Sequence, residues 1–171
     1  LAGCRASWMA EAARLAEANG ADIVDINMGC PAKHVSGGMA GSALMRDLDH
    51  ACSLIEAVVA AVTVPVTVKM RLGWDHATIN APELARRAQA LGVAAITVHG
   101  RTRQQFYKGE ADWSAIARVR EATDLPLIAN GDIQTTDDAR AALAASGADA
   151  VMVGRATLGR PWLIAQIEAE L

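Results

Sequence analysis

The feature that most constrains this chain is a repeated alternation of short β-branched runs with alanine-rich amphipathic stretches. Asp22–Asn27, Val64–Met70, Ala94–His99, Leu125–Asn130 and Ala150–Val153 read as buried strands. They are nearly continuous in Val and Ile, which suits parallel strands covered on both faces rather than half-solvated antiparallel ones. The segments between them carry helix punctuation. Trp8–Asn19 ends at Gly20, Pro82 opens a helix that stops at Gly92, and Thr135 and Thr136 precede Asp137 in a segment closed by Gly147. Each stop leads directly into a strand. Pro161–Leu171 reads as a final helix outside the last strand, with Trp162, Leu163 and Ile167 for packing.

Such units build either an open doubly wound sheet or a closed barrel, and periodicity does not separate the two. The polar residues do. Every predicted strand ends in a polar or glycine-rich cluster: Asn27–Lys33, Lys69–Gly73, His99–Arg103, Asn130–Asp132 and Gly154–Thr157. A barrel gathers such ends around one pocket, whereas an open sheet spreads them along an edge. The expected fold is therefore an α/β TIM (β/α)8 barrel spanning residues 1–171 and incomplete, with about five of its eight strands present. Leu1 and Ala2 read as the stub of a sixth strand, and the remaining strands are expected before Leu1. Such a piece has open sheet edges, which weakens its independent stability.

Composition narrows the class. The chain is 52% hydrophobic and 20% charged with net charge −3, as in ordinary globular proteins. Its longest apolar candidate, Ala57–Val68, is broken by Pro65, so no membrane span is expected. The chain begins without methionine or a leader and reads as cut from something longer. Cys4, Cys30 and Cys52 are too sparse and uneven for a disulfide framework or a zinc site, so a reducing cytoplasm and no metal are expected. Mild acidity argues against indiscriminate coating of nucleic acid, though not against a local basic site.

The strand ends carry the candidate chemistry. Cys30 lies in Asn27-Met28-Gly29-Cys30-Pro31, where glycine permits a tight turn and proline blocks helix continuation, so its thiol is expected to face the pocket. A lone cysteine is often only a small core hydrophobe, but these neighbours favour a functional position. Lys69 ends an apolar strand and needs a partner if buried; Arg71 shares its face if the strand continues, giving the pocket a positive side. His99, Gly100, Arg101, Thr102 and Arg103 share one loop, a polar ligand site rather than a structural histidine alone. Asn130-Gly131-Asp132 and Gly154-Arg155 end successive strands, where barrels frequently bind phosphate through loop amides. Neither a Gly-rich Rossmann fingerprint nor a Walker-type loop is present. A phosphorylated cofactor on a barrel is the reading left.

Taken in order, Asp25–Pro31, Val68–Arg71, Val98–Thr102, Asn130–Asp132 and Val153–Ala156 resemble tRNA-dihydrouridine synthases, with His99-Gly100-Arg101-Thr102 the most discriminating segment. Tyr107-Lys108-Gly109 and Ala111-Asp112-Trp113 extend the resemblance, and Cys30-Pro31-Ala32-Lys33 looks like a bacterial type. The resemblance implies FMN at the C-terminal mouth of a barrel, with a helical tRNA-holding domain beyond this chain. It implies that Lys69 and His99 contact the flavin ring, and that the backbone and side chains of Asn130, Gly131, Asp132, Gly154 and Arg155 hold the phosphate. Cys30 would be the proton donor, Asn27 would orient the uracil, and NADPH would be the electron source. The target base must leave its stack to reach such a pocket, so RNA contacts must ring the mouth. Lys33, Arg71, Arg101, Arg103 and Lys108 are the expected basic rim, with Arg71, Arg101 and Arg103 on the substrate side. Competing readings are an FMN barrel acting on a free pyrimidine, as in dihydroorotate dehydrogenase relatives, a non-catalytic RNA-binding module, and an inactive barrel fragment. The residues leave open which uridine is modified and the oligomeric state.

Overall fold

A computed structural model describes residues 1–171. Five strands, β1 (Val24–Met28), β2 (Val66–Arg71), β3 (Ala95–His99), β4 (Leu127–Asn130) and β5 (Ala150–Met152), form one sheet in the order β1-β2-β3-β4-β5. All neighbouring pairs are parallel. Strands that follow one another without the reversal of order that marks a doubly wound sheet are those of a barrel. The helices obey the same order. α1 (Ala6–Ala18), α3 (Leu48–Val59), α4 (Ala81–Ala90), α5 (Trp113–Arg120), α6 (Thr136–Ser146) and α7 (Leu163–Glu170) touch successively as one layer. The short α2 (Lys33–Ser36) and 3-10 turns at Gly41–Arg46 and Arg155–Thr157 lie on strand-end loops. The structure is thus five strands of a TIM-type barrel.

Burial separates the sheet's two faces. Ile26, Met28, Val68, Met70, Ile96, Val98 and Leu127 are fully buried beneath the helices in one core of 26 residues. Paired positions in parallel strands share a face, so the register Asn27↔Lys69↔Thr97 and Arg71↔His99↔Asn130 lines the other side with polar groups. The strands are parallel as expected, with helices covering one face and polar groups gathered on the other. Their inner face is a polar wall, because alternation placed Asp25, Asn27, Lys69 and His99 there.

Prolines explain the strand boundaries. β2 and β4 begin one residue after Pro65 and Pro126, which lack an N–H and offer only carbonyls, to Val24 and Ile96 respectively. Two helices lack the glycine stop or proline start that marks the others in sequence: α3, capped by Asp47 accepting from His50 N at 3.0 Å, and α5, capped by Asp112 accepting from Ala115 N at 2.9 Å. The final helix starts at Leu163 rather than Pro161; Leu163 and Ile167 are buried with Ile133, Ala139 and Ala142, while Trp162, expected to pack, is 61% exposed. β5, expected to be buried, is an edge strand with only Val151 half-buried. Beside β1, Leu1 donates to the Asp25 carbonyl at 2.5 Å and accepts from Asn27 N at 2.8 Å, the pattern of a parallel ladder flanking Ile26. Leu1 thus lies as the expected sixth strand would.

Candidate active site

All five strand ends meet at a cavity of about 730 Å³, within the range of ligand pockets. Asn27 and Cys30 come from β1 and its loop, Lys69 and Arg71 from β2, His99 from β3, Asn130 to Asp132 from β4, and Gly154 and Arg155 from β5. Ten residues singled out as a site from sequence therefore share one wall. The other two, Arg101 and Arg103, do not line it.

The Cys30 loop is held from several directions. Asn27 Oδ1 accepts from Gly29 N at 3.1 Å and Cys30 N at 2.9 Å, which closes the turn and leaves its amide nitrogen to donate into the cavity. The Cys30 carbonyl accepts from Ser42 Oγ at 2.8 Å and Ser42 N at 3.0 Å. Gly41, at φ 58°, packs so closely that a Cβ there would lie 2.8 Å from that same oxygen. From the floor, Arg71 Nε donates to the Gly29 carbonyl at 2.8 Å, and Nη1 reaches the Thr102 and Phe106 carbonyls, each at 2.9 Å.

Arg71 is only 2% exposed. Burial lowers its pKa to about 10, far enough above neutrality to keep the cation. Lys69 donates to Asn130 Oδ1 at 2.9 Å, and Asn130 Nδ2 in turn donates to the Met152 carbonyl at 2.8 Å. The asparagine thereby aims the lysine. Burial first and then Arg71 lower the Lys69 pKa to about 8, against a smaller opposing pull from Asp25. His99 falls to about 3, chiefly by burial and then through Arg71, Lys69 and Arg101, and stays neutral.

Beyond β4, Asp132 places both carboxylate oxygens on Arg101, at 2.9 and 2.5 Å, and stands 3.7 Å from Arg155. Burial raises its pKa, but Arg101 and the Ala111 N–H outweigh that, and the net shift is downward. With the side chains of Asn130 and Asp132 engaged inside the protein, this loop offers a ligand mainly its backbone. The N–H groups of Gly131, Asp132, Gly154 and Arg155 donate to no protein acceptor. Around Gly154 no atom lies within 4 Å of where a Cβ would stand, and the Arg155 side chain is 65% exposed beside it. Free amides, open space and a guanidinium suit an anionic group.

The basic rim is thinner than the sequence suggested. Lys33 and Lys108 are exposed, but Arg71 and Arg101 are each 2% exposed; Arg101 spends its donors on backbone carbonyls, Asp132 and His99, while Arg71 spends Nε and Nη1 on backbone carbonyls and keeps Nη2 without a protein partner at the cavity wall. Arg103 is half-buried over the Trp74 ring at 4.9 Å, and Arg46 stands over the same ring at 4.9 Å. Tyr107 also lines the cavity, with Arg155 over its ring at 4.9 Å. As the chain's single tyrosine, set in a strand-end loop, it could have been flagged from sequence.

No helix is long and apolar enough to cross a membrane. The structure resembles a putative mandelate racemase/muconate lactonizing enzyme from Labrenzia alexandrii (TM-score 0.68, 18% identity, 97% of this chain and 40% of that one). It also resembles phosphoenolpyruvate phosphomutase from Streptomyces platensis subsp. rosaceus (TM-score 0.63, 24% identity, 91% and 59%). At such identities the likeness concerns the fold alone. In sequence the chain is 65% identical over 162 residues to a probable tRNA-dihydrouridine synthase of Rhizobium leguminosarum bv. phaseoli, covering 95% of this chain and 51% of that protein. It is 61% identical to one from Rhodobacter capsulatus, covering all of this chain and 53% of that protein. Against tRNA-dihydrouridine synthase B of Xanthomonas axonopodis pv. citri it is 50% identical, covering 98% and 50%. The chain thus spans about half the length of the curated relatives it matches. Since the family model described as dihydrouridine synthase (Dus) matches residues 1–171, the chain belongs to the dihydrouridine synthase family.

Proposed function

We propose that this chain supplies the FMN site and proton donor of a tRNA-dihydrouridine synthase, reducing the C5–C6 double bond of a uridine in tRNA. The observation that carries the reading is the single cavity shared by Asn27, Cys30, Lys69, Arg71, His99 and the two loops after β4 and β5. The residues present fit the cofactor. Lys69 and His99 hold the flavin ring, and the free amides of Gly131, Asp132, Gly154 and Arg155, with the Arg155 guanidinium, hold its phosphate. A bound FMN would supply hydride chemistry at C6 of the uracil, with NADPH as the electron source.

Cys30 donates a proton to C5 from its thiol, so one hydride and one proton add across the double bond. The loop that carries it is fixed by Asn27, Ser42 and Arg71 before substrate arrives, which lowers the cost of orienting the acid. Asn27 Nδ2 donates to the uracil edge while Oδ1 stays on the loop amides. The test is to incubate the whole protein with NADPH and unmodified tRNA and to seek nucleosides heavier by two hydrogens by mass spectrometry. Their absence from a protein whose flavin is reducible would overturn the RNA assignment in favour of a free pyrimidine.

Lys69 makes cofactor binding pH-dependent. Its charge is complete at pH 6 and lost as the pH rises through about 8, so FMN affinity should weaken above pH 8. Fluorescence titration of FMN measures this, and Lys69→Met should flatten the curve. The ligand-free protein moves the other way, because the unfolded lysine binds more protons between about pH 8 and 10.5, and stability rises across that window.

On the RNA side, the Arg46–Trp74–Arg103 stack lies beside the Cys30 loop, with Arg103 Nη2 3.4 Å from Ser36 Oγ. Its two cations suit phosphates flanking an extruded base. Replacing both with alanine should make the dependence of log K for tRNA on log[salt] shallower, by roughly 0.7–0.9 for each phosphate that is no longer neutralised. Fluorescence anisotropy across a salt series measures the slope, and an unchanged slope would place the RNA elsewhere.

A further inference from the structure

Arg101 follows His99 by two residues, yet it does not line the cavity and is almost fully buried. A guanidinium carries five N–H groups and no lone pair. Here every one of the five faces an acceptor. Nε points at the Lys108 carbonyl at 3.2 Å, and Nη2 points at the Gly109 carbonyl at 2.6 Å and Asp132 Oδ2 at 2.5 Å. Nη1 points at Asp132 Oδ1 at 2.9 Å, and its second N–H faces His99 Nε2 at 3.3 Å.

A ring nitrogen that faces a group able only to donate must itself accept, and a neutral imidazole that accepts at Nε2 carries its proton on Nδ1. We propose that Arg101 is a positioning residue that fixes His99 as the neutral Nδ1–H tautomer, so that the ring presents one N–H donor to an acceptor atom of the ligand in the cavity.

Three independent observations support this assignment. Asp132 grips the guanidinium with both oxygens and also accepts from Ala111 N at 2.8 Å, so the fork cannot rotate away from the histidine without breaking that set. Gly131 closes the ring's other side: a Cβ there would stand 3.0 Å from His99 Cδ2 and 3.1 Å from Nε2, and its φ of 118° admits little but glycine. His99 Nδ1, by contrast, has no protein partner, and the residue lines the cavity. The charged groups around the ring are Arg71, Lys69, Arg101 and Asp132; the three cations, together with burial, disfavour a fourth positive charge.

The chemical consequence is a division of labour. Lys69 brings charge to the ligand, whereas His99 brings a directed hydrogen bond without charge. That suits a carbonyl oxygen or an unprotonated ring nitrogen. Its identification as an atom of the flavin rests on the function proposed above, but the tautomer does not.

Long-range proton–nitrogen correlation NMR on the whole protein with nitrogen-15 histidine reads the tautomer directly, with the His99 signals identified by their loss in His99→Gln. The expected result is a pyrrole-type Nδ1 and a pyridine-type Nε2, unchanged between pH 7 and pH 5. A proton on Nε2, or an imidazolium forming in that range, would overturn the inference. Arg101→Lys keeps the cation but loses the fork, and should replace the fixed pattern with tautomer-averaged shifts; retention of the fixed pattern would remove Arg101 from the role. If that variant does not fold, the wild-type spectrum decides alone. An Nδ1–H tautomer in a protein that reduces no uridine would leave this inference standing and remove the proposed function. An Nε2–H tautomer in an active enzyme would do the opposite.

Discussion

Replacing Cys30 with alanine is expected to leave FMN bound and to lower the rate of dihydrouridine formation by roughly 10²–10⁴-fold, the range associated with a positioned general acid. The reasoning is geometric. Cys30 is half-buried at the cavity wall, and its loop is fixed by backbone contacts that involve no atom of the thiol: Asn27 Oδ1 to two amides, Ser42 to the Cys30 carbonyl, and Arg71 to the Gly29 carbonyl. Alanine preserves all of them, so the loop and the neighbouring cavity wall stay in place while the one acidic proton of that side chain is removed. Single-turnover kinetics separates the steps. Flavin reduction by NADPH should run at the wild-type rate, and re-oxidation by tRNA should slow. Cys30→Ser, with a weaker acid, should fall between the two. Equal turnover in wild type and alanine variant would remove Cys30 from the proton transfer.

The second large effect falls on stability. Arg71→Leu removes three hydrogen bonds to the carbonyls of Gly29, Thr102 and Phe106, in a place where Arg71 itself is 2% exposed. Each orphaned buried carbonyl costs roughly 1–3 kcal/mol. Relief from burying a cation and entry of water at the cavity side offset part of this, which leaves a net loss of about 3 kcal/mol. Urea denaturation monitored by tryptophan fluorescence should show the midpoint falling without a change in slope. Because Arg71 ties the β1, β2 and β3 ends together, uridine reduction should fall further than the folded fraction does. A variant within about 0.5 kcal/mol of wild type, the range of ordinary surface substitutions, would show that these carbonyls find other partners.

Arg71 and Arg101 also mark where reading by residue type stops. Arg71 ends β2 and Arg101 lies in the loop after β3, and from sequence both belong with the residues that touch substrate. The structure commits Arg101, and the Nε and Nη1 of Arg71, to partners within the protein, for a reason that local sequence does not carry. Arg101 finds Asp132 31 positions away, and Arg71 finds Gly29 42 positions away. Arg46 and Trp74, which lack any motif of their own, form a basic surface only because separate loops bring Arg46 and Arg103 onto one indole.

What the sequence determined by itself is the part governed by local rules. Hydrophobic runs of strand length, glycine and proline punctuation, and the Thr135 capping box define the order of elements, because each acts within a few residues. The polar cluster after every strand pointed to a barrel mouth, because parallel strands in sequential order bring all their C-terminal ends to one rim. The five motifs in order sufficed to indicate the family. The tertiary structure decided which charged side chains remain free for a ligand and which are consumed as scaffold. It also decided that Asn130 aims Lys69 and that His99 faces a donor-only partner. These are matters of pairing between distant segments. The free energy of a buried polar group depends on whether its donors and acceptors are met, and in this protein the partners that meet them come from other strands.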